Sequence, residues 1–220
     1  MKHFTLIILS ILFLNGALKA QSIEELDFSG LWTSTHSENI PGIIGSDYQR
    51  IHVKFLSVIK DIDHPDQYFV HGKTMVHGNV CDFQGIIKIN ELLEDKEPAY
   101  DGKSTYNLKA HYRFLEDPKQ FHVGIFEGMI VSNLLINAKG TVTYNDLLKN
   151  SDTFNNNLFV GTWKEYGAAK GKICNWGDYR IPQSGDLDVG KSKFSLNDKY
   201  LKKGWKDFGK ANSEIRNWWK

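Results

Sequence analysis

Apolar and polar residues alternate with a period of two over much of the chain. Apolar side chains occupy every second position of one stretch, namely Tyr106, Leu108, Ala110, Tyr112 and Phe114. Residues 116–119 read as a turn, and Phe121, Val123 and Ile125 then share one face of a returning segment. Alternation of this kind is typical of strands with one buried face. It predicts a β-hairpin whose apolar face packs in a core.

Further strands are predicted over residues 28–36, 48–59, 68–76, 80–90, 140–148, 157–166 and 172–181, with turn signals between them. A chain with many strands and no helical period between them is expected to be all-β. We therefore predict a single antiparallel β-barrel, or a strongly bent sandwich, of about eight strands. Leu201, Trp205 and Phe208 follow a helical period, which predicts a C-terminal helix.

The phrase Phe-x-Gly occurs four times, beginning at residues 28, 83, 126 and 159. The first and last copies continue to a tryptophan, giving Gly30-x-Trp32 and Gly161-x-Trp163. Residues at i and i+2 lie on one face of a strand, and an inward glycine permits a bend or a close aromatic neighbour. We assign Gly30, Trp32, Gly161 and Trp163 a structural role, with a paired aromatic binding site as the alternative.

The first 20 residues have the features of a secretory signal peptide, with an apolar run over 4–14 and a cut after Ala20. This predicts export to the bacterial periplasm or secretion. The remaining chain divides into a β-barrel domain over 21–190 and a basic C-terminal helix or tail over 191–220. No other segment is apolar enough to cross a bilayer, so the protein is predicted not to span a membrane.

The chain has 27 basic and 26 acidic residues, so its overall charge gives no indication about nucleic acid. The predicted export argues against a nucleic-acid partner. Residues 191–220 differ, with nine Lys or Arg against three Asp or Glu. Such a tail is expected to lie on the acidic body of the protein, or to meet a protein partner or an anionic surface.

Cys81 and Cys174 are the two cysteines of the chain. In an exported protein an even number of cysteines is typical of disulfides, so we predict a bond between them. Two buried free thiols are the alternative.

Glu127 is the weak catalytic candidate, because strict alternation places it with Ile125 and Met129 on an apolar face. A buried carboxyl group there would have a raised pKa. The alternative is a bulge at Gly128 that turns Glu127 outward.

The predicted ligand-binding residues are Tyr112, Phe114, Glu127, Trp176, Tyr179 and Arg180. The first two lie on the inward face, and the last three form an aromatic and cationic platform near Cys174. Histidines occur in pairs such as His71 and His77 without a third partner, so neither a metal nor a cofactor is predicted.

The chain resembles the lipocalin and avidin-like (calycin) barrels in three features. These are Gly30-Leu31-Trp32 at the start of the first predicted strand, a meander of strands, and a late helix. The resemblance implies an arginine packed across Trp32, for which Arg180 and Arg216 are the candidates. A barrel of about eight strands can hold one small ligand, so the leading hypothesis is a non-enzymatic exported protein that binds a small apolar ligand or a glycan. An inhibitor or immunity protein and a small hydrolase that uses Glu127 are the alternatives.

Overall fold

The computed structural model describes residues 22–34, 40–95, 101–152, 154–208 and 217–220. Within these ranges ten strands form one antiparallel sheet, which confirms the predicted all-β class. The strands are β1 (Gly42–Ile44), β2 (Gln49–Arg50), β3 (His52–Lys60), β4 (Gln67–Val76), β5 (Asn79–Glu94), β6 (Lys103–Glu116), β7 (Gly124–Asn137), β8 (Val142–Tyr144), β9 (Asn156–Glu165) and β10 (Lys172–Asp178). Their order is β2-β1-β10-β9-β7-β6-β5-β4-β3, and β8 pairs with β7.

The sheet curls into a half-barrel around one large apolar cluster. Its two margins, β2 and β3, are separated in sequence by Ile51 alone. The backbone N–H of Ile51 donates to the carbonyl of Gly42 over 3.1 Å, beside the short β1–β2 pairing. The structure confirms a curled antiparallel sheet, whereas closure into a barrel of eight strands stays a prediction.

The predicted hairpin is formed by β6 and β7, which pair along their whole length. Leu108, Ala110, Tyr112 and Phe114 are buried, as the alternation of β6 predicts. The prediction of which face of β7 is buried was wrong. Phe126 and Ile130 are buried, whereas Ile125 and Met129 are half-buried on the outer face and Phe121 is 82% exposed.

Two glycines of the Phe-x-Gly phrase lie opposite each other, Gly128 on β7 and Gly161 on β9. A Cβ atom on Gly128 would stand 2.1 Å from the carbonyl oxygen of Val160, and one on Gly161 would stand 2.3 Å from that of Glu127. The Tyr112 hydroxyl would lie 2.5 Å from a Cβ on Gly161. The pair therefore lets two backbones and one aromatic ring meet at a point where any side chain would clash.

The first copy of the phrase does not lie on a strand, which corrects the prediction of a strand over 28–36. Ser29–Thr33 form a short α-helix, α1. Phe28, Leu31 and Trp32 are spaced as one helical turn, and all three are buried. The Asp27 carboxylate accepts from the backbone N–H of Ser29 at the start of this turn, over 2.9 Å.

The C-terminal helix is shorter than predicted. Asp198–Lys203 form a 3-10 helix, which begins after Asn197, whose side chain accepts from the N–H of Lys199. It ends at Gly204 in the left-handed conformation, with φ of 84°. A glycine there stops a helix, so Trp205 enters a turn and is buried while Leu201 remains 38% exposed. None of the described helices is both long and apolar enough to cross a bilayer.

Candidate functional site

A pocket of about 1020 Å³ lies at one end of the half-barrel. It lies where β4, β6 and β9 end and where β5, β7 and β10 begin. Its apolar lining comes from the inner rows of the sheet: Ile44, Ile51, Val76, Phe126 and Trp163. Pockets that take small organic ligands measure about 300–1,000 Å³ and combine an apolar lining with a few polar groups. The volume of this pocket lies just above that range.

Below the pocket the interior is filled with aromatic rings. Tyr112 stacks on Phe114 with ring centroids 4.9 Å apart, and Phe159 stacks on Trp176 at 4.6 Å. Tyr112, Phe114 and Trp176 were predicted to bind ligand, but each is at most 2% exposed and none lines the pocket. They form the packed layer beneath it.

Glu116 is the buried acidic residue of the pocket lining, with 3% of its surface exposed. One carboxylate oxygen accepts from the Thr74 hydroxyl over 2.6 Å. The other accepts from the backbone N–H of Gly124 over 2.9 Å and from the indole Nε1–H of Trp163 over 2.8 Å. Burial raises the pKa of Glu116, and the three donors act in the opposite direction.

The alternation along β6 is the sequence signal that indicates an inner position for Glu116. Glu116 lies two residues after Phe114, so the alternation that places Phe114 in the core places Glu116 there too. Its assignment to a turn with Asp117 and Pro118 hid this parity. In the structure β6 extends through Glu116, and the turn begins one residue later.

The mouth of the pocket is charged. Lys172 of β10 places its Nζ 5.4 Å from the ring centroid of Trp163. Lys202 and Lys203 reach the mouth from the C-terminal 3-10 helix, and Lys203 pairs with Asp47 over 2.6 Å. This ion pair lowers the pKa of Asp47. This part of the C-terminal segment therefore supplies part of the pocket wall.

The predicted disulfide is absent, since Cys81 and Cys174 are both free and buried. Cys81 lines the pocket, and its thiol contacts the carbonyl of Phe121 at 3.6 Å. Burial, with a smaller effect of Glu116, raises the pKa of Cys81 to about 11. Each cysteine lies on the inner face of its own strand and is buried as a free thiol. The even number of cysteines therefore does not indicate a disulfide here.

Glu127 does not lie on the inner face. Its side chain is 68% exposed and lies 3.6 Å from Arg113 across the hairpin. The outward orientation needs no bulge, because the pairing of β7 with β6 and β9 is continuous through this residue. Glu127 therefore lies outside the pocket, on the outer face of the sheet.

Tyr179 and Arg180 lie beyond the end of β10, away from the pocket lining. Tyr179 packs against Phe154 with ring centroids 5.0 Å apart. Arg180 pairs with Asp188 over 2.6 Å and also donates to two backbone carbonyls, so it fastens the following loop. Trp32 donates its indole N–H to the Ser132 hydroxyl over 3.3 Å and packs edge-on against Tyr68, with ring centroids 5.5 Å apart. Arg216 lies outside the described residues.

The opposite end of the half-barrel is covered by the N-terminal segment. Lys60 donates to the carbonyls of Glu24 and Leu26 over 2.7 and 2.5 Å. The Asn157 amide donates to the carbonyl of Leu31 and to the Asp178 carboxylate, both over 2.9 Å. These contacts hold α1 in place, so the pocket end is the accessible end.

Asp178 is the buried charge of this plugged end. Burial raises its pKa to about 6, although Asn157 and Tyr144 donate hydrogen bonds to it. The carboxyl group therefore titrates above its ordinary range.

Within the described part of the chain, no three His, Cys, Asp or Glu side chains converge as a metal site would require. No protein-family model, curated protein or solved structure matches the chain.

Proposed function

We propose that this protein is a non-enzymatic binding protein for a small, mainly apolar molecule that enters the pocket at the open end of the half-barrel. The observation that carries the proposal is the pocket of about 1020 Å³ whose inner surface includes Phe126 and Trp163. A concave apolar surface of this size, opposite a plugged end, is the usual setting of a small-ligand site.

The chemistry of Glu116 supports binding in preference to acid–base catalysis. Its two carboxylate oxygens already accept three hydrogen bonds from Thr74, Gly124 and Trp163. A general base must reach the proton that it removes, whereas Glu116 is directed into the wall. Its contacts rigidify the site, and the exposed position of Glu127 removes the support for a hydrolase built on that residue.

An apolar ligand is favoured over a glycan. The aromatic and cationic platform proposed for a sugar does not exist as a unit, because Trp176 is buried while Tyr179 and Arg180 pack in the following loop. The inhibitor or immunity-protein alternative depends on a free basic tail. Ion pairs of Lys199 with Asp186 and of Lys203 with Asp47 support a tail that belongs to the barrel.

Two wider proposals accompany this function. The contact of Ile51 with Gly42 supports a barrel that closes through the continuous segment of β2 and β3, as in the lipocalin-like architecture. The apolar run at residues 4–14 supports export of the protein, and this run lies outside the described residues.

A fluorescent apolar probe such as anilinonaphthalene sulfonate tests the proposed function. The wild-type chain is expected to bind it saturably, and Val76→Trp, which fills the pocket from the end of β4, is expected to abolish binding. His71→Trp adds the same ring to the exposed outer face of β4 and is the matched control. Equal binding by all three proteins would contradict a site in this pocket.

A further inference from the structure

We propose that the outer face of the sheet at β3–β5 docks a different protein, whose contact surface is apolar and carries lysine or arginine side chains at its edge. This face presents a cluster that we call the outer apolar patch: Leu56, Ile59, Ile62, Phe69 and Ile86. None of these residues lines the pocket, so the inference goes beyond the proposed function.

The outer apolar patch is continuous across three strands. Ile59 of β3 pairs in register with Phe69 of β4, and Phe69 pairs with Ile86 of β5. Side chains that oppose each other on neighbouring antiparallel strands have Cβ atoms about 4.5–5.5 Å apart, so these three form one row. Ile59 is 62% exposed and Phe69 is 51% exposed, although both lie in regular strands.

Leu56 and Ile62 extend this row at the margin of the sheet. Leu56 lies where the register of β3 against β4 shifts, and its side chain is exposed. Ile62 follows β3 in the turn to β4 and is 93% exposed. Single apolar side chains are common on protein surfaces, whereas a contiguous group of them marks an interaction site.

The described part of the C-terminal tail covers the start of the same strand. The ring centroid of Trp218 lies 5.8 Å from that of His52, and the Nζ atom of Lys54 lies 5.2 Å from the ring centroid of Trp219. The outer side of β3 is therefore a surface on which polypeptide packs. Towards the other end of the strand, the outer apolar patch stays exposed among the described residues.

Acidic residues border the outer apolar patch at the plugged end. Lys60, the last residue of β3, donates to the main-chain carbonyl of Glu24 over 2.7 Å and so holds Glu24 and Glu25 at this end of the strand. Asp63 lies in the turn that follows β3. These three acidic side chains are exposed, and they take part in no ion pair among the residues that the structure describes.

The basic residues near the patch are already engaged. The ammonium group of Lys88 lies 3.6 Å from the Asp66 carboxylate, and Arg113 lies 3.6 Å from the Glu127 carboxylate. Lys60 donates its hydrogen bonds to main-chain carbonyls. The outer apolar patch therefore has a border with an excess of negative charge.

This border selects the class of partner. Protein interfaces combine an apolar centre with a polar rim, and complementary charges in the rim favour the correct partner. A two-fold contact with a second copy would set the patch against an identical one, which brings no surplus of basic groups to meet the carboxylates. An anionic lipid surface would repel them. A protein surface with lysine or arginine around an apolar centre satisfies both features.

Two amphipathic peptides with leucine at the same positions test this assignment, one with lysine and the other with glutamate at every polar position. The lysine peptide is expected to bind the wild-type chain about tenfold more tightly than the glutamate peptide, measured by fluorescence anisotropy. Ile59→Thr combined with Phe69→Thr is expected to weaken binding of the lysine peptide about tenfold, because apolar contact area is lost. Threonine keeps a high strand propensity, so the fold is expected to persist, which thermal unfolding checks.

Three further variants separate the contributions. Phe121→Thr removes an exposed ring from the turn at the pocket end and should leave the affinity for the lysine peptide unchanged. Glu24→Gln, Glu25→Gln and Asp63→Asn together are expected to reduce the preference for the lysine peptide about fivefold. Val76→Trp should leave peptide binding unchanged, so this inference and the proposed function fail independently.

Equal binding of the two peptides would overturn the inference, and so would failure of both to bind. Unchanged binding of the lysine peptide to the double threonine variant would also overturn it. Sedimentation that shows a wild-type dimer and a monomeric double threonine variant would assign the patch to a second copy. Flotation of wild type alone with phosphatidylcholine vesicles would assign it to lipid, and either result would overturn the docking of a different protein.

Discussion

The carboxylate of Glu116 joins four strands, because it lies on β6 and accepts hydrogen bonds from residues of β4, β7 and β9. Replacing it with glutamine puts an NH₂ group against at least one of these donors and leaves buried groups unpaired. Glu116→Gln is expected to lower the free energy of unfolding by about 1–3 kcal/mol, measured by urea denaturation.

Glu127→Gln is the matched control, since it makes the same chemical change on an exposed side chain of the neighbouring strand. Its effect on the unfolding free energy is expected to lie within about 0.5 kcal/mol of zero. Equal effects of the two substitutions would mean that Glu116 does not hold the wall of the pocket.

The raised pKa of Asp178 predicts that the free energy of unfolding depends on pH. Its pKa rises from 3.8 to about 6 on folding, so between these values the folded state binds the proton more tightly. Stability from this group is therefore highest at low pH and falls as pH rises from 4 to 6, by on the order of 2–3 kcal/mol. Asp178→Asn should remove this loss.

Urea denaturation of wild type and Asp178→Asn at pH 4, 5, 6 and 7 measures the effect. The stability of the variant relative to wild type is expected to increase across this range. A constant difference between the two proteins would show that Asp178 does not titrate with a raised pKa.

The alternation of β6 is sufficient to predict the inner position of Glu116, although the turn assigned to residues 116–119 obscured it. The partners of its carboxylate did not, because Thr74, Gly124 and Trp163 come from three other strands whose register the sequence leaves open. The inner face of β7 was ambiguous, since Ile125 and Met129 on one side balance Phe126 and Ile130 on the other. The two faces are separated by the aromatic core, in which Phe126 packs against Trp163 and Trp176.

At the scale of elements, the two copies of Phe-x-Gly-x-Trp have different structures. Gly161 faces the backbone of Glu127 at a distance that admits no side chain, whereas Gly30 lies in α1 with nothing within 4 Å of its Cβ position. Gly161→Ala is expected to destabilise the fold by about 2 kcal/mol or more, through the clash. Gly30→Ala is expected to be neutral or to stabilise it by up to about 1 kcal/mol.

Thermal unfolding of both variants checks this pair, with a lower melting temperature for Gly161→Ala alone. A similar loss in Gly30→Ala would imply that both glycines are bend points of strands. The sequence could not separate the copies, because Phe28, Leu31 and Trp32 fit a helical turn while Phe28, Gly30 and Trp32 fit a strand. The buried contacts of Leu31 decide for the helix.

At the scale of the whole molecule, the fold is held by one curled sheet, a plugged end and a docked C-terminal segment, without a covalent bridge. Arg50 shows how the segment docks, with its guanidinium 4.9 Å from the ring of Trp205 and 4.5 Å from that of Phe208. The aromatic contacts of Arg50 were not predicted, since they depend on the turn at Gly204.

The absence of a disulfide gives a prediction for the whole chain. Protein prepared without reductant and then denatured is expected to show two reactive thiols per chain. The folded protein should react slowly at both, because Cys81 and Cys174 are buried and their pKa values are raised. A denatured chain with no reactive thiol would show that Cys81 and Cys174 form a disulfide.

The central claim is that the open end of the half-barrel holds a small apolar molecule. Native mass spectrometry of the protein purified from its own host measures this most directly. The account predicts a bound species of small mass on wild-type chains, absent from Val76→Trp and retained by His71→Trp. A wild-type spectrum that shows only the bare chain, under conditions that preserve a bound fluorescent probe, would contradict it.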